Sequence, residues 1–396
     1  MKILFIVPYV PNPIRVRPFS LLKTLLAGGN QVTLATLWSN QEERAQLASL
    51  EQLGAKIVAE PLPRWRSLQN CLGVGLGQTP WQAVYCWQPR LNHTLHNLLA
   101  RERFDVIHVE HLRGAHYGLA LKDKGIPIVW DSVDSISYLF AQAVAHSRSL
   151  FGKWMTRLEL GRTRHYEGWL VRQFETVLVT SRIDKQALVE LADQTVAERI
   201  KVVPNGVDQS YFTPNGSQRE PDRLVFSGKM SYHANVTMAM HLVQDIMPRI
   251  WAERPQTRLT IVGANPPASV QQLGQDQRVS VTGFVPDMRP YLQRAAVAVV
   301  PAAYGAGIQN KVLEAMACAT PVVATERAVA ALELAAGQDI LVAANAEAFA
   351  QQVLTLLRDP SLRQTVGVNG HHYVQRKHAW SQIGANLTEI YRHAAR

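Results

Sequence analysis

The sequence predicts an α/β protein of two doubly wound, Rossmann-like domains, each built on its own parallel sheet. Three observations carry that expectation. Short apolar runs alternate with longer stretches of helical periodicity along the whole chain. The runs are continuously apolar rather than alternating, the mark of strands buried on both faces. They also fall into two comparable sets of six.

The first run, from Ile3 to Val7, could be misread as a secretion signal. It is short, Pro8 stops it and no small-residue cleavage site follows, so it reads as the first strand of a sheet. Further strands are expected at 31–35, 56–59, 106–109, 128–130 and 176–180. The second set is expected at 224–226, 258–262, 279–282, 297–300, 322–324 and 340–342. The domains are then 1–195 and 204–377, with 378–396 as a helix returning to the first domain and anchored by Trp380. Two stretches break the rhythm. Residues 64–88, with Gly73, Gly75 and Gly77 among several aromatics, read as a long irregular insertion. Residues 147–172 read as a helix bearing Lys153, Trp154, Arg157, Arg162, Arg164, Trp169 and Arg172. That face suits either an anionic membrane surface or plain solvation.

Composition narrows the class. The 396 residues are 47% hydrophobic and 18% charged, as in folded globular proteins, and no apolar run is long enough to span a bilayer. Cys71, Cys86 and Cys318 cannot pair completely and lack metal-ligand spacing, which fits a reducing cytoplasm. The formal charge of +10 suits nucleic acid, an anionic membrane or phosphate-bearing substrates equally well. No nucleic-acid-binding module accompanies it.

The most informative segment runs from Gly305 through Ala306, Gly307, Ile308, Gln309, Asn310 and Lys311 to Glu314 and Thr325. It reads as a glycine loop after a strand, a helix over about 309–318 and a new strand. Such a loop lets backbone N–H groups approach an anion with no Cβ in the way. Lys311 falls in the first turn, where a cation opposes the helix dipole and a bound phosphate would relieve the conflict. Glu314 lies at i+3 on the same face. A surface Lys–Glu pair on a core helix is the alternative.

This segment resembles the nucleotide-sugar signature of family 4 of the retaining glycosyltransferases, whose fold is GT-B, two Rossmann-like domains facing across a cleft. Four other stretches resemble that family in order: Val202–Asp208, Val225–Met230, Leu259–Gly263 and Val281–Val285. The resemblance implies a retaining hexosyltransferase moving sugar from a nucleoside diphosphate sugar, UDP-linked before GDP-linked, with no metal and no cofactor. The acceptor is a hydroxyl of a glycan, lipid-linked sugar or small molecule, and polysaccharide assembly is one setting. Glu314 would accept from the donor ribose hydroxyls, and Lys229, beside Gly228, would meet the diphosphate. Backbone N–H groups near Gly307, Ile308 and Gln309 would hold phosphates or sugar, with Asn310 and Lys311 at the same helix start. Gly283, Phe284 and Val285 would line the base.

Two departures stand out. Ala306 occupies the place of a usual Glu eight residues before Glu314, and Ala234 and Asn235 stand where a second basic residue is usual. Lys311 would then supply the missing charge. In the first half, the loop Pro8–Pro18 has prolines plus Arg15 and Arg17 where the family has glycines. Arg17 would reach a phosphate, or merely be solvated. His108, Glu110, His111, Asp131 and Asp134 crowd two successive strand ends, where open α/β sheets place ligands, and with Arg15 are the acceptor-side candidates. His108 and Asp131 are the catalytic choices there.

By resemblance, the acceptor hydroxyl attacks the same face that the leaving phosphate departs from, and that phosphate takes the proton. No Asp-x-Asp pair exists to bind a divalent ion beside a diphosphate. The rivals are a sugar-nucleotide epimerase of the same architecture and a binding protein that has lost activity, the latter suggested by Ala306. A nicotinamide dehydrogenase lacks its glycine fingerprint after the first strand.

Overall fold

A computed structural model describes residues 1–75, 77–146, 150–302 and 308–395, the side chains at 143–146 and 150–156 excepted. The chain divides into two compact units, Met1–Pro204 with Trp380–Arg396, and Asn205–Ala379.

The first unit holds a seven-stranded parallel sheet. Its strands are β1 (Lys2–Val7), β2 (Gln31–Trp38), β3 (Lys56–Pro61), β4 (Val106–Glu110), β5 (Ile128–Val133), β6 (Thr176–Val179) and β7 (Ile200–Val202), in the order β3-β2-β1-β4-β5-β6-β7. Ile3, Leu4, Phe5, Ile6 and Val7 are all fully buried, which explains a strand with no polar alternation. Six strands match the expected positions. The seventh, β7, was not among them, and it carries the first unit beyond residue 195 to Pro204.

Five helices of this unit matter below: α1 (Val16–Ala27), α2 (Arg64–Val74), α3 (Trp81–Val84), α4 (His111–Ala120) and α5 (Leu150–Val171). The stretch 64–88 is thus mostly helical rather than irregular. Pro63 and Pro80 sit at the N-caps of α2 and α3 with extended backbone, so the prolines start helices here instead of interrupting a loop. In α5 the expected basic face is divided: Arg162 is buried, while Arg157, Arg164, Trp169 and Arg172 are exposed. Lys153 and Trp154 lie outside the described side chains.

The final helix, Trp380–Ala394, buries Trp380, Ile383, Leu387 and Tyr391 at helical spacing against the first unit's core. It meets α1 so closely that a Cβ added at Gly384 would come within 2.1 Å of Thr24 Cγ2.

The second unit holds a six-stranded parallel sheet of β8 (Glu220–Ser227), β9 (Arg258–Val262), β10 (Val279–Val281), β11 (Ala295–Val300), β12 (Val322–Thr325) and β13 (Leu341–Ala343), in the order β10-β9-β8-β11-β12-β13. Two of its helices are α6 (His233–His241) and α7 (Asn310–Ala317). This unit begins at Asn205 and extends to Ala379, against the expected limits of 204 and 377. Among the described residues no helix is long and apolar enough to cross a membrane.

Candidate functional site

In the second sheet β8 is flanked by β9 on one side and β11 on the other. The strand order reverses there, and the carboxyl ends of β8 and β11 mark the usual ligand position of a doubly wound sheet. The turns at this edge are tight. Gly228 and Gly263 have φ of 156° and 159°. A Cβ on Gly263 would meet the Gly228 carbonyl oxygen at 1.8 Å, so only glycine fits. The Met230 N–H donates to Ala264 O (2.9 Å), locking the two turns together.

Helix α6 follows the β8 turn and α7 follows β11. One side chain from each joins them: Lys311 Nζ donates to Asn235 Oδ1 (2.9 Å) and to Gln309 Oε1 (3.4 Å). Asn235 Nδ2 in turn donates to the Lys229 carbonyl (2.9 Å). The ammonium also lies 5.8 Å from the Phe226 ring centroid. Burial pulls Lys311 down to about 8, against the attraction of Glu314. Burial likewise pushes Glu314 up to about 7, against the attraction of Lys311. Among the described residues neither the Glu314 carboxylate nor the exposed Lys229 ammonium has a hydrogen-bond or ion-pair partner. Asn310 Oδ1 is buried and also without one. Lys311 and Glu314 on α7, with Lys229 on the β8 turn whose carbonyl Asn235 holds, suit a ligand with both anionic and hydroxyl groups.

Gly283 turns the chain after β10 with φ 69°, and Phe284 beyond it is 77% exposed. Val285 is half-buried, Ile308 is buried, and Gln309 is the N-cap of α7. Gly307 and Ala306 lie outside the described residues. Asn235 is the functional residue that sequence reasoning missed. It was noted only as a missing base, yet it holds Lys311 in place.

The first unit presents a different cluster. His108 and Glu110 share one face of β4, and Asp131 stands beside Glu110 in register on β5. Arg17, from the first turn of α1, donates through Nε and Nη2 to Asp131 Oδ2 (2.9 and 2.7 Å) and through Nη1 to Val203 O (2.9 Å). His108 Nδ1 meets the Tyr391 hydroxyl (2.8 Å), and its ring stacks on Phe5. The Tyr9 hydroxyl donates to Glu110 Oε1 (3.0 Å). His108 Nε2 lies 3.8 Å from Asp131 Oδ2, and neither it nor Glu110 Oε2 has a hydrogen-bond partner among the described residues. Burial, with the Asp131 charge, raises Glu110 to about 8, and burial lowers His108 to about 4. The cluster at neutral pH is therefore one ion pair plus a neutral acid and a neutral imidazole.

That arrangement corrects part of the sequence reading. His108, Glu110 and Asp131 are each 1% exposed or less, because the strand alternation that puts them on one face turns that face under α1 and the final helix. They form a closed network rather than an open acceptor surface. Arg17, 5% exposed, is bound to Asp131 and not held out for a phosphate. Arg15 is similarly engaged, with Glu43 Oε1 (2.8 Å), Val10 O (2.9 Å) and the face of Tyr9.

His111 and Asp134 are only half-buried. His111 opens α4 with φ 66°, neither reversed on the strand nor in a loop; its Nδ1 accepts the Arg113 N–H (3.2 Å), and burial brings it down to about 3. Asp134 accepts from Thr180 Oγ1 (3.0 Å), and burial raises it to about 6.

Comparison with known proteins agrees with both units. Residues 16–211 match the Glycosyltransferase Family 4 profile, and residues 221–359 match that of Glycosyl transferases group 1. The chain is 28% identical over 246 residues to a D-inositol 3-phosphate glycosyltransferase of Frankia alni, covering 55% of this chain and 59% of that protein. It is 27% identical over 283 residues to an alpha-maltose-1-phosphate synthase of Mycolicibacterium smegmatis, covering 63% and 71%. In structure it resembles sucrose-phosphate synthase from Thermosynechococcus elongatus, with TM-score 0.71 and 18% identity over 99% of this chain and 98% of that one. HepE from Anabaena, solved with UDP, gives TM-score 0.68 and 16% identity over 99% and 100%. The last two likenesses establish the GT-B fold.

Proposed function

The chain belongs to the family 4, group 1 glycosyltransferases, and from that premise we propose that it transfers a hexosyl unit, with retention, from a nucleoside diphosphate sugar to an acceptor hydroxyl. The observation that carries the reading is the Glu314 carboxylate, without a hydrogen-bond or ion-pair partner among the described residues, in the field of Lys311 at the carboxyl edge of β8 and β11. Glu314 accepts the ribose hydroxyls. Lys229 and Lys311 flank the diphosphate and stabilise the charge that develops on it as the glycosidic C–O bond breaks. The N-termini of α6 and α7 add fixed positive potential of the same sign. Phe284, exposed beyond β10, offers a ring face for the base. A uridine base is the reading we favour, since HepE has been solved with UDP and with UDP-glucose. The acceptor hydroxyl attacks the anomeric carbon on the face the diphosphate leaves, and the departing phosphate oxygen takes its proton.

Calorimetry with UDP, GDP, ADP and their glucose conjugates tests this. UDP and UDP-sugar should bind, and Glu314→Ala should weaken binding by roughly 10- to 100-fold, the loss of one charge-assisted hydrogen-bonding group. Binding of no nucleotide, or binding indifferent to Glu314→Ala, overturns the proposal.

A further inference from the structure

Helix α2 is built inside out. Trp65, Leu68 and Leu72, at i, i+3 and i+7, lie on one face and are 57%, 64% and 79% exposed. The opposite face, turned to the protein, carries buried Ser67 and half-buried Asn70, Cys71 and Val74. Ordinary amphipathic helices of a globular protein have the reverse arrangement. The small inward side chains are fixed: Asn70 Nδ2 donates to Trp87 O (2.7 Å), and Cys71 contacts Trp81 O. The outward apolar face is therefore a property of the fold, not of a helix that could roll over.

The charge carried by this stretch of sequence has one sign. No acidic residue occurs from Pro61 to Arg101, a stretch that holds Arg64, Arg66, Arg90 and Arg101. Arg66 lies over the Trp65 ring, and Arg113 over the ring of Tyr85, itself 42% exposed. Arg157, near the start of α5, is exposed. Helix α5 touches the α2–α3 region directly: Glu159 accepts the Trp81 N–H (3.1 Å), and Arg162 donates to Gly75 O (3.2 Å). Tryptophan and tyrosine with an apolar body and polar tip, leucines beside them and arginines at the rim are what the headgroup layer of a bilayer accepts.

We propose that the Trp65–Leu68–Leu72 face of α2 seats this protein on an anionic lipid surface, with Arg64 and Arg66 at the headgroups. This moves the membrane contact away from α5, whose Arg162 is buried, and does not depend on the transfer reaction proposed above.

The test is co-sedimentation of the full chain with vesicles of phosphatidylcholine alone and of phosphatidylcholine mixed with phosphatidylglycerol. Binding is expected to the mixed vesicles, weak to the neutral ones, and reversed by salt. Arg64→Ala with Arg66→Ala should weaken it about thirtyfold, two basic contacts at roughly 1 kcal/mol each. Trp65→Ser, Leu68→Ser and Leu72→Ser together should abolish it, with unchanged circular dichroism as the fold control. The proposal is overturned if the native chain ignores anionic vesicles at low salt, or if the triple variant binds like the native chain. It is equally overturned if the face instead closes a dimer that the triple variant dissolves. Nucleotide binding, measured alongside, reports on the donor site separately.

Discussion

Both units gather charged side chains at the carboxyl edge of a parallel sheet, yet the two clusters behave oppositely. In the first unit Arg17 and Asp131 satisfy each other 114 residues apart in sequence, and Tyr391 and Tyr9 each hold one polar atom of His108 and Glu110. In the second unit Lys311 hydrogen-bonds to neutral amides and feels Glu314 without ion-pair contact, while Glu314 and Lys229 have no hydrogen-bond or ion-pair partner among the described residues. A charge that finds its counter-charge inside the protein holds the fold; a charge left beside neutral groups is set for something that arrives. The same residue types at the same topological position thus carry different work, and only the partner identifies which.

Breaking the closed cluster should give the largest effect. Asp131→Ala leaves the buried Arg17 guanidinium without its counter-charge and should cost about 3–5 kcal/mol of stability. Urea unfolding followed by tryptophan fluorescence measures it, while nucleotide affinity in the surviving folded fraction should be unchanged. A loss under about 1 kcal/mol would mean the pair is dispensable, and the contrast between the units would fail.

In the open cluster the expected effect is on binding, and pH should expose it. Glu314 must be ionised to accept ribose hydroxyls, so affinity should fall as pH drops through about 7. Lys311 must be protonated to attract phosphate, so affinity should fall again as pH rises through about 8. Calorimetry with UDP across that range should show a maximum between the two. Lys311→Arg, whose guanidinium stays charged, should flatten the alkaline limb alone. An alkaline limb that persists in the arginine variant assigns it to another group.

The effect confined to the narrowest conditions belongs to Glu110. Its acid is raised from 4.5 to about 8 on folding, so the stability it contributes is complete below about 4.5 and is lost as pH rises through 8. Glu110→Gln removes that loss. At pH 9 the variant should melt higher than the native chain, and the difference should vanish near pH 4. A lower melting temperature at pH 9 would show that the ionised acid is stabilised after all.

The fold was legible because parallel strands buried on both faces leave short, continuously apolar runs. The exception was β7, where Lys201 interrupts three residues at the sheet edge. Lys311 and Glu314 were legible because they lie three positions apart on one helix. Their support was not: Asn235 meets Lys311 across 76 residues, and Tyr391 meets His108 across 283. Composition misled at 64–88, where glycines and aromatics suggested a loop. The prolines there cap helices, and the one aromatic of α2, Trp65, faces outward.

The return of Trp380–Ala394 to the first unit bears on the order in which the protein is made. A ribosome delivers the seven strands of the first sheet, then the whole second unit, and only afterwards the helix that carries Tyr391. At about 5–20 residues per second the interval from Pro204 to that helix is on the order of ten seconds or more. Throughout it, the surface of α1 around Thr24 and the imidazole of His108 wait uncovered. The unit that begins first is the one finished last, and a chain cut short by a few turns would damage the half of the molecule farthest from the cut in sequence.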